Sequence, residues 1–146
     1  YAPFTDELFA AQKGFGATLN GNPMRSSSAK SLAEGIVAIG YSPKQSVDST
    51  KKAFEYLFNE GGVFHEIGSA ALMIAYVAAG RYIGFYEFHL NSWDCLAGLA
   101  MVRETGGWTN DFLANKGLHN GNAVLASAPG TKKSMLSLFF LAGHKI

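Results

Sequence analysis

Short and long apolar segments alternate along most of the chain, and this pattern predicts strands and helices in turn. The strand candidates are short, apolar and bounded by glycine or polar residues; they cover residues 7–12, 36–40, 63–67, 82–88, 108–111 and 123–128. The helix candidates have apolar residues at helical spacing or an unbroken apolar run; they are a segment closed by Gly61-Gly62, residues 70–79, residues 93–105 and a segment after Pro129-Gly130. The alternation predicts an α/β fold with helices packed on a sheet.

Polar residues mark where these helices begin. Ser-Leu-Ala-Glu at residues 31–34 is a capping-box pattern, which predicts a short helical turn. We expect Asp48 or Ser49 to cap the first long helix, and Ser92 to cap the helix over residues 93–105. Residues 70–79 have no polar face, so we expect this helix to be covered on all sides.

The first 30 residues predict a β-hairpin. Residues 7–12 lead to Gly-Phe-Gly-Ala at 14–17, and Asn20-Gly21 is a strong turn dipeptide. The two glycines also fit part of a phosphate-binding loop. However, Leu19 stands where a GxGxxG pattern has its third glycine, and no lysine follows at the position a P-loop requires. The turn chemistry therefore favours a hairpin over a nucleotide site.

Composition narrows the class of protein. The 146 residues are 48% hydrophobic and 16% charged, which is typical of one globular domain with a real core. The net charge of +1 gives no electrostatic reason to expect nucleic-acid or membrane binding. Cys95 is the single cysteine, so no disulfide forms within the chain and we expect a reducing, cytoplasmic compartment. The apolar run over 67–80 is too short to span a bilayer. The start without methionine predicts that the chain does not begin at a natural N-terminus.

The candidate chemistry lies at two predicted strand–helix junctions. Glu87 falls at the end of one strand and Asp94 in the first turn of the next helix, while Ser69 and Ala70 open the preceding helix. Ligands in α/β folds collect where strands end and helices begin. From the residues alone, two interpretations stay open: Asp94 either stabilises a helix start or binds a cation, and Glu87 is either a solvated strand-end residue or part of a site. No H-x-x-H or C-x-x-C spacing supports zinc, and Ser69 lies in no G-x-S-x-G elbow.

Five stretches of the sequence resemble the inositol monophosphatase family, in family order and over essentially the whole chain. They are E-L-F-A-A-Q-K-G-F-G-A-T-L-N-G, S-L-A-E-G-I-V-A-I-G, G-S-A-A-L-M-I-A-Y-V-A-A-G-R, W-D-C-L-A-G-L-A-M-V-R-E-T-G-G and N-G-N-A-V-L-A-S. The W-D-x-x-A-G…E-x-G-G pattern is the most specific of them.

The resemblance implies a concrete activity and site. Proteins of this family are Mg²⁺-dependent phosphomonoesterases with a layered αβαβα fold, here with a mixed sheet between helices, and they usually form homodimers. By resemblance, Asp94 is a metal ligand and catalytic residue, and Glu87 contacts a hydroxyl of the sugar or inositol. Gly68, Ser69 and Ala70 line the substrate pocket. Carboxylate oxygens are ligands that Mg²⁺ prefers.

Two upstream motifs of the family are absent from this sequence. The Gly-Glu-Glu segment and the Asp-Pro-(Ile/Leu)-Asp-Gly-Thr motif carry the other metal ligands, and the chain contains no Asp-Pro. The resemblance therefore implies the C-terminal half of such an enzyme. We assign residues 1–30 to a hairpin remnant of the N-terminal sheet domain and residues 31–146 to the C-terminal α/β domain. One carboxylate cannot hold two Mg²⁺ ions, so we expect the isolated chain to be inactive and the missing half to be a partner.

Several functions remain open within this resemblance. We favour hydrolysis of inositol monophosphate or a similar small sugar phosphate, and keep a bisphosphate nucleotidase or histidinol-phosphate phosphatase as an enzyme alternative. A non-catalytic module that binds a protein partner is the alternative from another class, since some proteins of this fold act in transcription through partners. His65 and His89 stand where the family commonly has arginine and glycine, so the charge at one position and the pocket mouth at the other differ.

Overall fold

The computed structural model describes residues 1–42 and 44–144. The strands are β1 (Phe9–Gln12), β2 (Gly16–Leu19), β3 (Asn22–Pro23), β4 (Ile36–Ile39), β5 (Val63–His65), β6 (Gly84–Leu90), β7 (Trp108–Thr109) and β8 (Asn122–Ser127). The α-helices are α1 (Val47–Asn59), α2 (Ala70–Ala78), α3 (Ser92–Glu104), α4 (Gly117–Asn120) and α5 (Lys132–Leu141). Short 3-10 turns cover Leu32–Glu34, Ala114–Lys116 and Pro129–Thr131.

The strands form two sheets. The larger sheet has the order β5-β4-β6-β8-β7; β4 runs parallel to β5 and β6, whereas β8 runs antiparallel to β6 and β7. The smaller sheet is the antiparallel set β1-β2-β3, with the first turn at residues 13–15 and the second at Asn20-Gly21. The predicted hairpin and the predicted mixed sheet are therefore both confirmed.

Helices cover both faces of the larger sheet, which confirms the predicted α/β layering. On one face, α1 and α5 bury Leu57 and Leu138 against strand residues such as Val37. On the other face, α2 and α3 bury Ile74 and Leu99 in a second core cluster. The smaller sheet packs on the far side of α3, so the described residues form helix, sheet, helix and sheet layers.

One carboxylate ties the small sheet to α3. Glu104, at the end of α3, accepts hydrogen bonds from the backbone N–H groups of Gly14 and Gly16, each at 3.0 Å. These two bonds lower the pKa of Glu104 below its ordinary value. Both glycines have positive φ angles, a conformation that side chains with a Cβ rarely adopt. The glycines singled out in the sequence therefore serve a turn that is held against a helix.

Two predicted helix caps are wrong by one to three residues. The cap of α1 is Ser46, whose hydroxyl accepts from Ser49 N at 3.1 Å, whereas Asp48 pairs with Lys52 inside the helix. The cap of α3 is Asn91 in extended backbone conformation, and Ser92 is the first helical residue. The sequence offers several polar residues at each start, and the backbone angle decides between them.

The capping-box and burial predictions also need correction. Ser31 donates its hydroxyl to Glu34 Oε1 at 2.9 Å instead of accepting the backbone N–H, although the predicted helical turn forms. Helix α2 is not covered on all sides, because Ala71 is exposed and Leu72 is half-buried. Strands β5 and β7 are shorter than predicted, and β6 is shifted toward the C-terminus by two residues. Within the residues that the structure describes, no helix combines the length and apolar character that a bilayer span requires.

Candidate functional site

The starts of α2 and α3 lie side by side because the two helices pack closely. A Cβ on Gly98 of α3 would come within 2.6 Å of Ile74 Cγ2 on α2, so the glycine permits this approach. Ser69 caps α2 by accepting a hydrogen bond from Leu72 N at 3.3 Å. Asp94 lies in the first turn of α3. The fold thereby brings two of the predicted site residues to neighbouring helix starts.

Ser69 and Asp94 line the same pocket. It has a volume of about 380 Å³ and lies between the first residues of the chain, α2 and α3. Trp93 and Cys95 also contribute to its wall, and most of the remaining lining is apolar. Of the other predicted residues, Gly68, Ala70 and Glu87 do not line it. The structure thus brings Ser69 and Asp94 together in one cavity and leaves Gly68, Ala70 and Glu87 outside its lining.

Asp94 keeps most of the hydrogen-bonding capacity of its carboxylate. Its side chain is half-buried, and Asn91 Nδ2 approaches Oδ2 at 3.5 Å, a long and weak contact. Its backbone N–H donates to Asn91 O at 3.1 Å, as expected in a first helical turn. Among the described residues, no ion pair involves this carboxylate. A helix N-terminus favours the negative charge, and the free oxygens remain able to bind a cation.

Glu87 is not at the end of its strand, and little of its surface is exposed. It lies in the middle of β6, with 9% of its surface exposed, directly before a bulge in the β6–β8 pairing. Gly40, at the end of neighbouring β4, makes room for it, because a Cβ there would collide with the Glu87 carboxylate. Among the described residues, its carboxylate has no hydrogen-bond or ion-pair partner. A buried carboxylate without a protein partner is uncommon and marks a candidate ligand-binding group.

Burial controls the protonation of Glu87. Desolvation, followed by the negative charges of Asp94 and Glu66, raises its pKa from 4.5 to about 7. The side chain is therefore close to half-protonated at neutral pH. In the protonated form it can donate a hydrogen bond, and in the ionised form it accepts hydrogen bonds from hydroxyl groups.

Gly68 and Ala70 flank Ser69 through backbone geometry. Gly68 is exposed and has a φ of +77°, and its N–H donates to Glu66 Oε1 at 2.6 Å. Ala70 is the first residue of α2 and is half-buried. The segment forms a sharp entry into the helix, so its backbone groups lie near the start of the pocket wall.

Cys95 is not a nucleophile despite its place beside Asp94. Burial, followed by the charges of Asp94 and Glu87, raises its pKa to about 12. Its Sγ lies 3.4 Å from the carbonyl oxygen of Asn91, to which the thiol donates. A thiol in this environment stays protonated and unreactive at neutral pH.

Asp94 fits one ligand position of a magnesium site, but the described residues do not complete such a site. Its oxygens have the chemistry that Mg²⁺ prefers. Within residues 1–42 and 44–144, however, no group of three or more His, Cys, Asp or Glu side chains is arranged to hold a metal ion. Glu87 is close enough to Asp94 for their charges to interact, but the pair is not a metal cage.

The sequence did not reveal a contact between Lys44 and His89. Lys44 Nζ lies 3.1 Å from His89 Nε2 and 3.4 Å from His89 Nδ1. His89 Nε2 also lies 3.0 Å from the carbonyl oxygen of Asn120. The sequence showed that His89 stands where the family commonly has glycine, but nothing in it placed Lys44 beside His89.

Comparisons with known proteins agree with this fold. A sequence model of the inositol monophosphatase family matches residues 1–139. The chain is 42% identical over 139 residues to the Nus factor SuhB of Escherichia coli (strain K12), covering 94% of this chain and 52% of that protein. It is 39% identical over 113 residues to the inositol-1-monophosphatase of Rhizobium meliloti (strain 1021), covering 76% of this chain and 42% of that protein. The crystal structure of the extragenic suppressor protein suhB from Bartonella henselae superposes with a TM-score of 0.84 at 32% identity, covering 100% of this chain and 55% of that one.

These matches cover the whole candidate site but not the whole of each relative. The chain spans about half the length of the curated relatives it matches. The matched region contains all the predicted site residues, from Gly68 to Asp94. One of the two curated relatives is named as a Nus factor, and the other is named as an enzyme. Sequence and fold together show that this chain belongs to the inositol monophosphatase family.

Proposed function

We propose that this chain is part of a Mg²⁺-dependent phosphomonoesterase that hydrolyses inositol monophosphate or a similar small sugar phosphate. The observation that supports this most is the presence of two neighbouring acidic side chains whose carboxylate oxygens have few or no hydrogen-bond partners in the protein. Asp94 stands at a helix start on the pocket wall, and Glu87 is buried nearby without a partner. Family membership supports phosphoester chemistry at this position.

Each predicted residue has a distinct role in this proposal. Asp94 is a ligand of Mg²⁺, which supplies water activation and stabilisation of the leaving oxygen when it is bound. Glu87 orients a hydroxyl of the alcohol portion by hydrogen bonding. Ser69 lines the substrate pocket, and Gly68 and Ala70 flank it along the chain, so that the segment limits the position of the phosphate ester.

The remaining ligands come from outside these 146 residues in this proposal. Residues 1–30 form a hairpin remnant of an N-terminal sheet domain, and residues 31–146 form the C-terminal α/β domain. The complete enzyme is a cytoplasmic homodimer. Since Asp94 alone cannot hold two metal ions, the isolated chain is inactive.

Phosphate release from inositol 1-phosphate in the presence of Mg²⁺ tests this proposal. We expect no turnover by the isolated chain, and turnover when the chain is extended by its upstream half. Asp94→Asn in the extended protein abolishes the Mg²⁺-dependent rate, whereas Asp48→Asn on α1 leaves it unchanged. Turnover by the isolated chain contradicts the missing-ligand proposal, and an active Asp94→Asn variant contradicts the role of Asp94. Relative rates on a nucleoside bisphosphate and on histidinol phosphate separate the enzyme alternatives.

A non-catalytic role is the second candidate. The relatives named Nus factor SuhB favour it, together with exposed aromatic side chains at Phe4 and Trp93. In this case the folded chain binds a protein partner, and this binding does not require Asp94. Capture of the same defined partner by wild-type and Asp94→Asn protein, with no turnover by the extended enzyme, supports this role over catalysis.

A further inference from the structure

Helix α1 carries a second, largely apolar stripe on the side turned away from the sheet. Its inner side buries Leu57 in the core. The outer stripe consists of Val47, Lys51, Phe54 and Phe58, and these side chains border an open groove of about 410 Å³. Val47 is 68% exposed and Phe58 is 54% exposed. A contiguous apolar surface of this kind marks an interaction site, whereas single exposed apolar residues do not.

Strand β5 extends this surface to the edge of the larger sheet. Phe64 packs edge-on against Phe54, with ring centroids 4.9 Å apart, and its centroid lies 6.2 Å from that of Phe58. Phe64 is 44% exposed, and its neighbour Val63 is exposed as well. β5 is an edge strand, and an exposed apolar edge readily associates with another chain. The outer stripe and β5 therefore form one continuous apolar surface.

The outer stripe has the same spacing in both directions along the helix. The intervals from Val47 to Phe58 are four, three and four residues. An antiparallel second copy of α1 therefore places Val47 opposite the partner's Phe58, and Lys51 opposite the partner's Phe54. The apolar ends meet each other, and each ammonium group meets an aromatic ring, which is a favourable contact. A two-fold axis between two identical chains produces this antiparallel arrangement.

Charge complementarity favours the same arrangement. Glu55 directly follows Phe54 in the sequence and lines the groove together with Lys51. In the antiparallel arrangement, each Lys51 lies beside the partner's Glu55, so a symmetric interface contains this pair of opposite charges twice. Among the described residues, neither side chain belongs to an ion pair within its own chain. Both charges are therefore available to a second copy.

The location of the first residues argues against the upstream half as the occupant of this surface. Tyr1 lines the pocket beside α2 and α3, whereas α1 packs on the opposite face of the larger sheet. The upstream half of the proposed enzyme joins the chain at Tyr1, and therefore on the other side of the sheet. A second copy needs no further match, because its own sequence supplies the spacing and the charges.

We infer that a second copy of this chain binds the outer stripe, with the two α1 helices antiparallel across a two-fold axis and β5 at the border of the contact. This inference rests on the homodimer of the proposed function and assigns that dimer to one surface. It does not depend on Mg²⁺ or on turnover. The pocket lined by Ser69 and Asp94 lies on the opposite face of the sheet, so the interface leaves it uncovered.

Sedimentation velocity of the folded chain over a range of concentrations measures the dissociation constant of the dimer. We expect a monomer–dimer equilibrium. Phe58→Asp should raise the dissociation constant by roughly a hundredfold, because the substitution occurs twice in a symmetric interface. Phe15→Asp, in the exposed turn between β1 and β2, is the matched control and should leave the dissociation constant unchanged. Circular dichroism confirms that each variant is folded.

An exchange of charges tests the antiparallel order of the helices. Lys51→Glu and Glu55→Lys should each raise the dissociation constant by about tenfold, because like charges then meet across the axis. The chain with both substitutions should regain the affinity of the wild type, and a mixture of the two single variants should form heterodimers in preference to homodimers. Lys52→Glu, which changes the net charge equally but lies outside the outer stripe, is the control.

Three results overturn the inference. A chain that stays monomeric at every concentration leaves the outer stripe to a different protein. A dimer that Phe58→Asp does not weaken forms through another surface. A double variant that does not regain affinity excludes the antiparallel order. None of these results bears on Mg²⁺-dependent turnover or on its loss in Asp94→Asn, so failure here is distinguishable from failure of the proposed catalytic function.

Discussion

At the residue scale, the least expected feature is the burial of Glu87. The sequence predicted Asp94 in the first turn of a helix, because position within a helix follows from local pattern. It could not predict that Glu87 is buried, because that depends on Gly40 of a neighbouring strand and on a bulge. Both are non-local features. The position of Lys44 beside His89 was hidden for the same reason.

The raised pKa of Glu87 makes the stability of the fold depend on pH. Its pKa is 4.5 ordinarily and about 7 in the folded chain, so folding favours the protonated form. The stabilisation is therefore full below pH 4.5 and is lost as the pH rises through 7. Relative to Glu87→Gln, the wild-type chain should lose on the order of 3 kcal/mol of unfolding free energy over this interval. Denaturant unfolding of both proteins between pH 4.5 and 8 measures this loss.

Two features of the chain serve as controls for this experiment. His144 has a pKa lowered by burial, so its contribution is lost as the pH falls, in the opposite direction. His144 is present in both wild type and Glu87→Gln, so its contribution cancels in the difference between their unfolding free energies. Glu55→Gln, an exposed change on α1, should give a difference from wild type that does not vary with pH. A constant difference for Glu87→Gln would show that this carboxyl group titrates normally.

At the element scale, the order of strands and helices was largely predictable and their ends were not. Hydrophobic periodicity predicted β4, α2, α3 and the mixed layering, since burial of one face determines each element. The caps at Ser46 and Asn91 depend on backbone angles that several neighbouring polar residues could adopt. The open side of α2 was missed because a uniformly apolar helix carries no signal of which side meets another layer.

The close contact of α2 with α3 predicts the effect of a substitution at Gly98. Gly98→Val places methyl groups where Ile74 Cγ2 lies, and should destabilise the fold by roughly 2 kcal/mol through overpacking. Ala100→Val, on the exposed side of the same helix, is the matched control and should cost only a few tenths of a kcal/mol. Thermal or denaturant unfolding measures both. Equal effects of the two substitutions would show that the helices do not depend on this close approach.

At the scale of the whole molecule, the described residues form four alternating layers with an apolar pocket between α2, α3 and the first residues of the chain. The family resemblance was predictable because its motifs are contiguous in sequence. Whether the metal site is complete could not be predicted, since the ligands of such a site come from separate segments. Among the residues that the structure describes, no three His, Cys, Asp or Glu side chains are arranged to hold a metal ion, and the ligand role of Asp94 stays a prediction.

The location of divalent-cation binding on the folded chain tests most directly whether Asp94 is a metal ligand. Mn²⁺ binds the same oxygen ligands as Mg²⁺, and its unpaired electrons broaden nearby NMR signals even when binding is weak. At low Mn²⁺, we predict that the amide signals of residues 91–95 and of Glu87 broaden first. Asp94→Asn should remove this effect, and the surface variant Asp48→Asn should not. Broadening centred elsewhere, or broadening at residues 91–95 that persists in Asp94→Asn, would contradict the account of Asp94 as a metal ligand.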